Sequence, residues 1–210
     1  MTTSTKIRIL CVDDHPIVRE GLAGILGLQS DMELIGAAES GAQAMTLSRQ
    51  LRPDVILVDL RLPDMSGHEL TRQILAQSPQ ARIIILTSLE GDADIERALA
   101  AGARGYVAKG IVREELLRAI RAVHAGKKYV PGQLAEKIAE HLGLEKLSER
   151  ELQVLHEIAT GKRNKEIAAD LSIAEDTVKM HVKNILEKLQ VSDRTEAVTV
   201  ALRRGILHLD

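Results

Sequence analysis

The chain of 210 residues has no phenylalanine and no tryptophan, and its only aromatic residues are Tyr106 and Tyr129. Its cores must therefore be aliphatic, and a surface that stacks bases on aromatic rings has almost nothing to be built from. There is one cysteine, Cys11, so no internal disulfide can form. A single thiol inside an apolar run reads as a small core residue rather than a reactive group. No segment approaches the roughly 20 apolar residues of a membrane span. The polar start, Met-Thr-Thr-Ser-Thr-Lys, leads into an apolar run that stops at Asp13, which fits no secretory signal. A cytoplasmic protein with no membrane partner is expected. An excess of one charge is missing as well: 28 Lys+Arg stand against 30 Asp+Glu, a net charge of −2. Residues 1–126 and 148–210 are each close to balance, so any charge for binding nucleic acid must be concentrated locally.

What remains is an ordinary globular composition, 45% apolar and 28% charged, and a length suited to two modest domains. Short apolar runs at Ile7–Val12, Leu34–Ala38, Val55–Val58, Ile83–Leu86 and Tyr106–Ala108 are rich in β-branched residues. Between them lie helical patterns near 16–27, 41–51, 67–77, 92–101 and 113–125. Five such units in series predict an α/β domain with a parallel sheet covered on both faces, over residues 1–126. From 127 the pattern changes. A turn-rich break, Gly126-Lys-Lys-Tyr-Val-Pro-Gly132, and a short helix over 133–142 form a linker to 146. Residues 147–210 show only helical patterns. Ser148-Glu-Arg-Glu151 is a capping box opening a helix to about 159. Asn164 can cap a helix over 165–171, followed by helices over 175–189 and 194–204, the last opened by Asp193-Arg-Thr-Glu196.

Six polar residues fall at the carboxyl ends of the predicted strands: Asp13 and Asp14 after the first, Asp59 after the third, Thr87 and Ser88 at the fourth, Lys109 after the fifth. In open α/β sheets that edge is where ligands bind, where the strand order reverses. If the order is 2-1-3-4-5, the three acids converge on one pocket. Three carboxylates together repel unless a cation neutralises them, and a few hard oxygen ligands suit Mg²⁺, which also pairs with phosphate. Lys109 supplies a point charge and Thr87 a hydroxyl donor for phosphate oxygens. The array suits phosphoryl transfer, with a carboxylate as the nucleophile. One Asp after a strand, taken singly, is more often a turn or cap residue. Asp64 and Gly67 read as turn and cap residues only.

The segments "CVDDHP", "VILVDLRLPDMSG", "IIILTS" and "GARGYVAK" resemble the receiver domain of two-component response regulators. The resemblance implies a flavodoxin-like (βα)5 fold, with Asp59 as phosphoacceptor. It makes Asp13 and Asp14 the Mg²⁺-binding pair, completed by Asp59 and the Arg61 main-chain carbonyl. Thr87, Tyr106 and Lys109 become the phosphoryl-stabilising and switch residues. Gly110 departs from the proline that often follows the lysine.

In the last 60 residues, Asn164–Leu171, a turn, and Glu175–Leu189 read as helix–turn–helix. Val178, Val182, Ile185, Leu186 and Leu189 form an apolar stripe, and Lys179 and Lys183 stand four apart on another face. A lysine pair at this spacing is also common on a plain solvated helix. The wider segment "LSERELQVLHEIATGKRNKEIAADLSIAEDTVKMHVKNILEKLQVSDRTEAV" closely resembles the LuxR-type helix-turn-helix domain, and the whole chain a NarL/FixJ-family response regulator. The resemblance implies base-facing Lys179, Met180 and Lys183, with Asn164, Lys165, Thr177, Lys188 and Arg194 near the DNA backbone. Ala174 departs from the usual Ser or Thr helix cap, leaving Glu175 and Asp176 to favour the helix start through its dipole.

The expected protein is a transcriptional regulator. A histidine kinase phosphorylates Asp59, and the phosphorylated homodimer binds paired half-sites on double-stranded DNA. It is not expected to be an enzyme. Two rivals remain: a DNA-binding protein that works without phosphate, and a Mg²⁺-dependent phosphohydrolase on the same sheet. Against the second, Asp59-Leu60-Arg61 lacks a second acid two residues on.

Overall fold

The computed structural model describes residues 6–88, 91–110, 113–140 and 145–208. They divide into two compact units, one of residues 1–90 and 95–135, the other of 91–94 and 136–210.

The first unit is an all-parallel sheet of β1 (Ile7–Val12), β2 (Met32–Ala38), β3 (Val55–Val58), β4 (Ile83–Thr87) and β5 (Gly105–Ala108), in the order β2-β1-β3-β4-β5. That is the 2-1-3-4-5 order on which convergence of the acids depends. Helices α1 (Pro16–Gly27), α2 (Gly41–Leu51), α3 (Gly67–Gln77), α4 (Asp92–Ala100) and α5 (Arg113–His124) connect and follow the strands. Every residue of β3 and β4 is buried, which is why these strands are continuously apolar rather than alternating. β2 starts two residues earlier than its apolar run suggests, because buried Met32 pairs with Ile7 across the polar Glu33.

On one face of the sheet, Ile9, Cys11, Leu57, Ile84 and Val107 pack with Leu22 and Leu26 of α1 and with Leu116, Ile120 and Val123 of α5. Cys11 is part of this core, and burial pushes its thiol up to about 12, so it stays protonated and inert. Beyond the helices, Tyr129 continues the sheet. Its carbonyl accepts from Tyr106 N at 3.0 Å and its amide donates to Arg104 O at 2.8 Å, which covers the outer edge of β5. The turn-rich break after 126 thus still contributes to the first unit.

Two residues expected to serve only as turn and cap have tertiary roles. The Asp64 carboxylate accepts from Gly41 N at 2.8 Å and Ala42 N at 2.9 Å, tying the β3–α3 loop to the start of α2 and holding its own pKa below the ordinary value. Gly67 opens α3 directly against the end of β3, where a Cβ would stand 2.4 Å from the Asp59 carbonyl oxygen.

α6 (Gly132–Glu140), which runs across the division between the two units, corresponds to the expected linker helix; residues 141–142 of that expectation lie outside the described residues. The remaining helices are α7 (Glu149–Ala159), α8 (Asn164–Asp170), α9 (Glu175–Leu189) and α10 (Arg194–Arg203). The Ser148–Glu151 capping box forms with both its bonds. α8 starts one residue earlier than Asn164 capping would require. The cap is Arg163, whose amide donates to Glu166 Oε2 at 2.7 Å, and Asn164 is the first helical residue. Ser172 takes the left-handed conformation (φ 54°) in the turn between α8 and α9. Val154, Leu155, Ile158, Ile167, Val178, Ile185, Leu189 and Ala201 make an aliphatic core, with α9 packed against α7, α8 and α10. Among the described residues no helix is long and apolar enough to cross a membrane.

The Gly67 packing predicts that Gly67→Ala destabilises the first unit by about 1–3 kcal/mol, the usual effect of overpacking. Both tyrosines lie in that unit, so tyrosine fluorescence during urea unfolding of the full chain reads it selectively. An unchanged midpoint would contradict the close approach.

Candidate functional site

The loops that leave β1 and β3 are placed by backbone bonds continuing the sheet. Asp13 N donates to Ala38 O at 3.0 Å, and Asp59 N donates to Val12 O at 2.8 Å. Both carboxylates are thereby buried, at 1% and 4% exposure, while Asp14 lies further out at the rim. Lys109 follows β5, with its amide donating to Thr87 O at 2.8 Å. Its Nζ lies 2.8 Å from Asp13 Oδ2 and 2.9 Å from Asp59 Oδ2, so one ammonium bridges two acids. Asp13 Oδ2 makes that ion pair without hydrogen-bond geometry. Thr87, the last residue of β4, and Tyr106, the second residue of β5, are both fully buried. Arg61 stands two residues past Asp59, in an isolated bridge with Ser66.

Positive charge is in short supply here. Burial pushes the Asp59 carboxyl above its ordinary pKa, and the hydrogen bond and charge of Lys109 offset this only in part, since Asp13 adds a like charge. Burial also works against the ammonium form of Lys109, but the close carboxylates of Asp13 and Asp59 outweigh that and raise its pKa. Ligand atoms of Asp13, Asp14, His15 and Asp59 all lie within 4.8 Å of one another. This set, three carboxylates beside a single ammonium, fits a small divalent cation by the chemistry of its donors.

Two further residues brace the pocket. Arg19 of α1 donates to Asp13 O at 2.7 Å and fixes the loop after β1. The His15 amide donates to Asp13 Oδ1 at 2.9 Å, and its ring Nδ1 lies 3.2 Å from that atom and 2.6 Å from Asp14 Oδ1. Only the "DDHP" spelling around His15 hinted at these contacts; Arg19 left no local signal.

In the helical unit, α9 buries Val178, Ile185 and Leu189 and turns Lys179, Met180 and Lys183 to solvent. Met180 is 52% exposed, unusual for a large apolar side chain. Lys179 is held by Asp176 at 2.9 Å and Glu175 at 3.8 Å, whereas among the described residues Lys183 pairs with Glu187 alone, at 3.7 Å. Asn164 and Thr177 are half-buried and Lys165 is exposed. Lys188 and Arg194 differ from the rest. Lys188 Nζ lies 2.9 Å from buried Glu151 and also donates to Lys146 O, and Arg194 donates to Lys162 O at 2.7 Å. Burial works against the Glu151 carboxylate, but the Ser148 amide, the Ser148 hydroxyl and Lys188 together lower its pKa.

Comparisons with known proteins fall on both units. The response regulator receiver domain family matches residues 9–121, and the LuxR family of bacterial regulatory proteins matches residues 145–201. The transcriptional regulatory protein LiaR of Bacillus subtilis (strain 168) is 41% identical over 210 residues, covering 96% of this chain and 100% of its own. The response regulator protein VraR of Staphylococcus aureus is 39% identical over 206 residues, covering 96% and 99%. Among solved structures, the two-component response regulator RcsB in complex with DNA is similar with a TM-score of 0.73 and 26% identity, covering 95% of this chain and 99% of that one. The chain belongs to the NarL/LuxR family of two-component response regulators, transcriptional regulators that join a receiver domain to a LuxR-type DNA-binding domain.

Proposed function

We propose that this regulator is switched by phosphorylation of Asp59 in the cytoplasm. The donor is the phosphohistidine of a cognate kinase or a small phosphodonor. The observation that carries the proposal is the bridging of Asp13 and Asp59 by Lys109 at the carboxyl ends of β1, β3 and β5. An Asp59 carboxylate oxygen attacks phosphorus, the bond from phosphorus to the donor breaks, and the donor imidazole leaves with the electron pair. Asp13, Asp14, Asp59 and the Arg61 carbonyl would hold Mg²⁺. When bound, the ion neutralises phosphoryl oxygens and fixes their orientation. Lys109 pairs with the new charge and Thr87 donates its hydroxyl to it, so neither keeps its present arrangement, and buried Tyr106 of β5 transmits the change. The carboxylate serves as acceptor, not as the centre of a turnover enzyme.

The output is binding of a phosphorylated homodimer to paired half-sites on double-stranded DNA, with α10 as the dimer surface of the helical domain. Lys179, Met180 and Lys183 face the bases; Met180 can read only an apolar feature such as a thymine methyl. Asn164, Lys165 and Thr177 lie near the backbone. Lys188 and Arg194 stand at its margin and also brace the domain through Glu151 and the Lys162 carbonyl.

Incubation with a ³²P-labelled small phosphodonor and Mg²⁺ is expected to give one hydroxylamine-sensitive label on the full chain, lost in Asp59→Asn. Persistent labelling of that variant would overturn the site, and steady turnover of an aryl phosphate would favour a phosphohydrolase. On DNA selected from random sequence, Lys183→Ala is expected to weaken binding and to lower the slope of log K against log salt by about one if it meets a phosphate, or to relax one base position if it meets a base. Lys188→Ala is expected to act first on folding, lowering the thermal midpoint of the helical unit because Glu151 is left without its cation. A variant that keeps full stability but loses DNA affinity would make Lys188 a backbone contact alone.

A further inference from the structure

We infer that His15 completes the cation site as a nitrogen ligand, so that this receiver selects a borderline transition metal such as Co²⁺ over Mg²⁺ more strongly than its oxygens alone would. The inference rests on the cation-site reading of Asp13, Asp14 and Asp59. The side chain is aimed at the site by its backbone. His15 precedes Pro16, which holds it extended at φ −85° and ψ 113°, and its amide is tied to Asp13 Oδ1 at 2.9 Å. The same ring nitrogen, Nδ1, faces both acids, at 3.2 Å from Asp13 Oδ1 and 2.6 Å from Asp14 Oδ1. With metal–ligand bonds of about 2.1 Å, neighbouring ligands of an octahedral ion stand roughly 3 Å apart. The Nδ1–Asp13 spacing already matches such an edge, and the shorter Nδ1–Asp14 spacing is one that Asp14, at the exposed rim, is free to widen.

The donor type decides which ion gains. Mg²⁺ takes oxygen ligands almost exclusively, so a neutral imidazole adds little to its binding. Imidazole favours first-row transition ions, whose affinity for such sites rises from Mn²⁺ through Co²⁺ to Ni²⁺. A histidine at this point therefore changes selectivity rather than creating the site. It also leaves α1 capped as before, because the His15 side chain makes no capping bond to that helix.

The test measures equilibrium binding of Mg²⁺, Mn²⁺ and Co²⁺ to the full chain by titration calorimetry at one fixed pH of about 8, where an ordinary imidazole is neutral. Wild type, His15→Ala and Asp13→Asn are compared. The expected result is a Co²⁺-to-Mg²⁺ affinity ratio that falls on the order of tenfold in His15→Ala, while Mg²⁺ affinity changes little. Electron spin-echo spectra of the Mn²⁺ form should show coupling to a directly bonded imidazole nitrogen, absent in His15→Ala; a merely structural histidine would not give that signal. An unchanged ratio with no nitrogen coupling overturns the role of His15 and leaves the cation site standing. Failure of any divalent ion to bind wild type in a manner lost with Asp13→Asn overturns the cation site itself.

Discussion

Everything in the receiver unit is arranged around two buried carboxylates sharing one ammonium. Asp13 and Asp59 come from adjacent strands and Lys109 from the far edge of the sheet, so the ion pairs draw together three chain segments that are distant in sequence. Ionised groups are costly to bury, and the cost is offset only while each keeps a partner. Here one cation serves two buried acids, and Asp59 remains above its ordinary pKa despite it. A site so short of positive charge responds to any added charge. In the proposed function a divalent cation would relieve it, and a phosphoryl group with the charge of a dianion would change which partners Lys109 and Thr87 serve. The responsiveness follows from the imbalance, not from flexibility of the surrounding chain.

That imbalance is sustained by rigid support. The amides of Asp13 and Asp59 both continue the hydrogen bonding of the sheet, and the Lys109 amide is tied to the Thr87 carbonyl. Behind Asp59, Gly67 lets α3 begin in contact with its carbonyl oxygen, and Asp64 fastens the same loop to α2. Arg19 holds the carbonyl of Asp13 from the other side. Each charged group is thus fixed through its main chain, which leaves the side-chain interactions free to be exchanged without unfolding the loops.

Most of this architecture was legible in the sequence, for identifiable reasons. Buried parallel strands are continuously apolar, and polar residues interrupt them only at the ligand edge, so the amino-acid pattern alone puts Asp13, Asp59, Thr87 and Lys109 at strand ends. Helix starts were readable where a side chain caps its own helix, as at Ser148 and Asp193. The parts that were not legible are the tertiary ones. Gly67 and Asp64 look like any turn residues until α2 and α3 are brought together. The partner of Lys188 lies 37 residues away in Glu151, and nothing along α9 distinguishes it from Lys183. The start of α8 was misplaced by one residue because Glu166 satisfies the Arg163 amide, a bond that makes the strong capping preference of Asn164 irrelevant.

The same comparison of partners orders the lysines of α9. The helix carries Lys179, Lys183 and Lys188 against Glu175, Asp176 and Glu187, so its formal charge is zero. Lys188 is committed to Glu151, Lys179 is held near two first-turn acids, and Lys183 is the most loosely engaged. Electrostatic affinity for DNA grows with the number of phosphates neutralised. A single copy of such a helix has few cations to offer, and its first-turn acids, which favour the helix start where Ala174 cannot cap it, repel the backbone it must approach. Two copies in register double the contacts on one duplex, and the second binds at the high effective concentration set by the first. In the proposed function, weak charge on the individual helix would make DNA binding depend on dimerisation, which is the property a regulator switched at a carboxylate of its other unit requires.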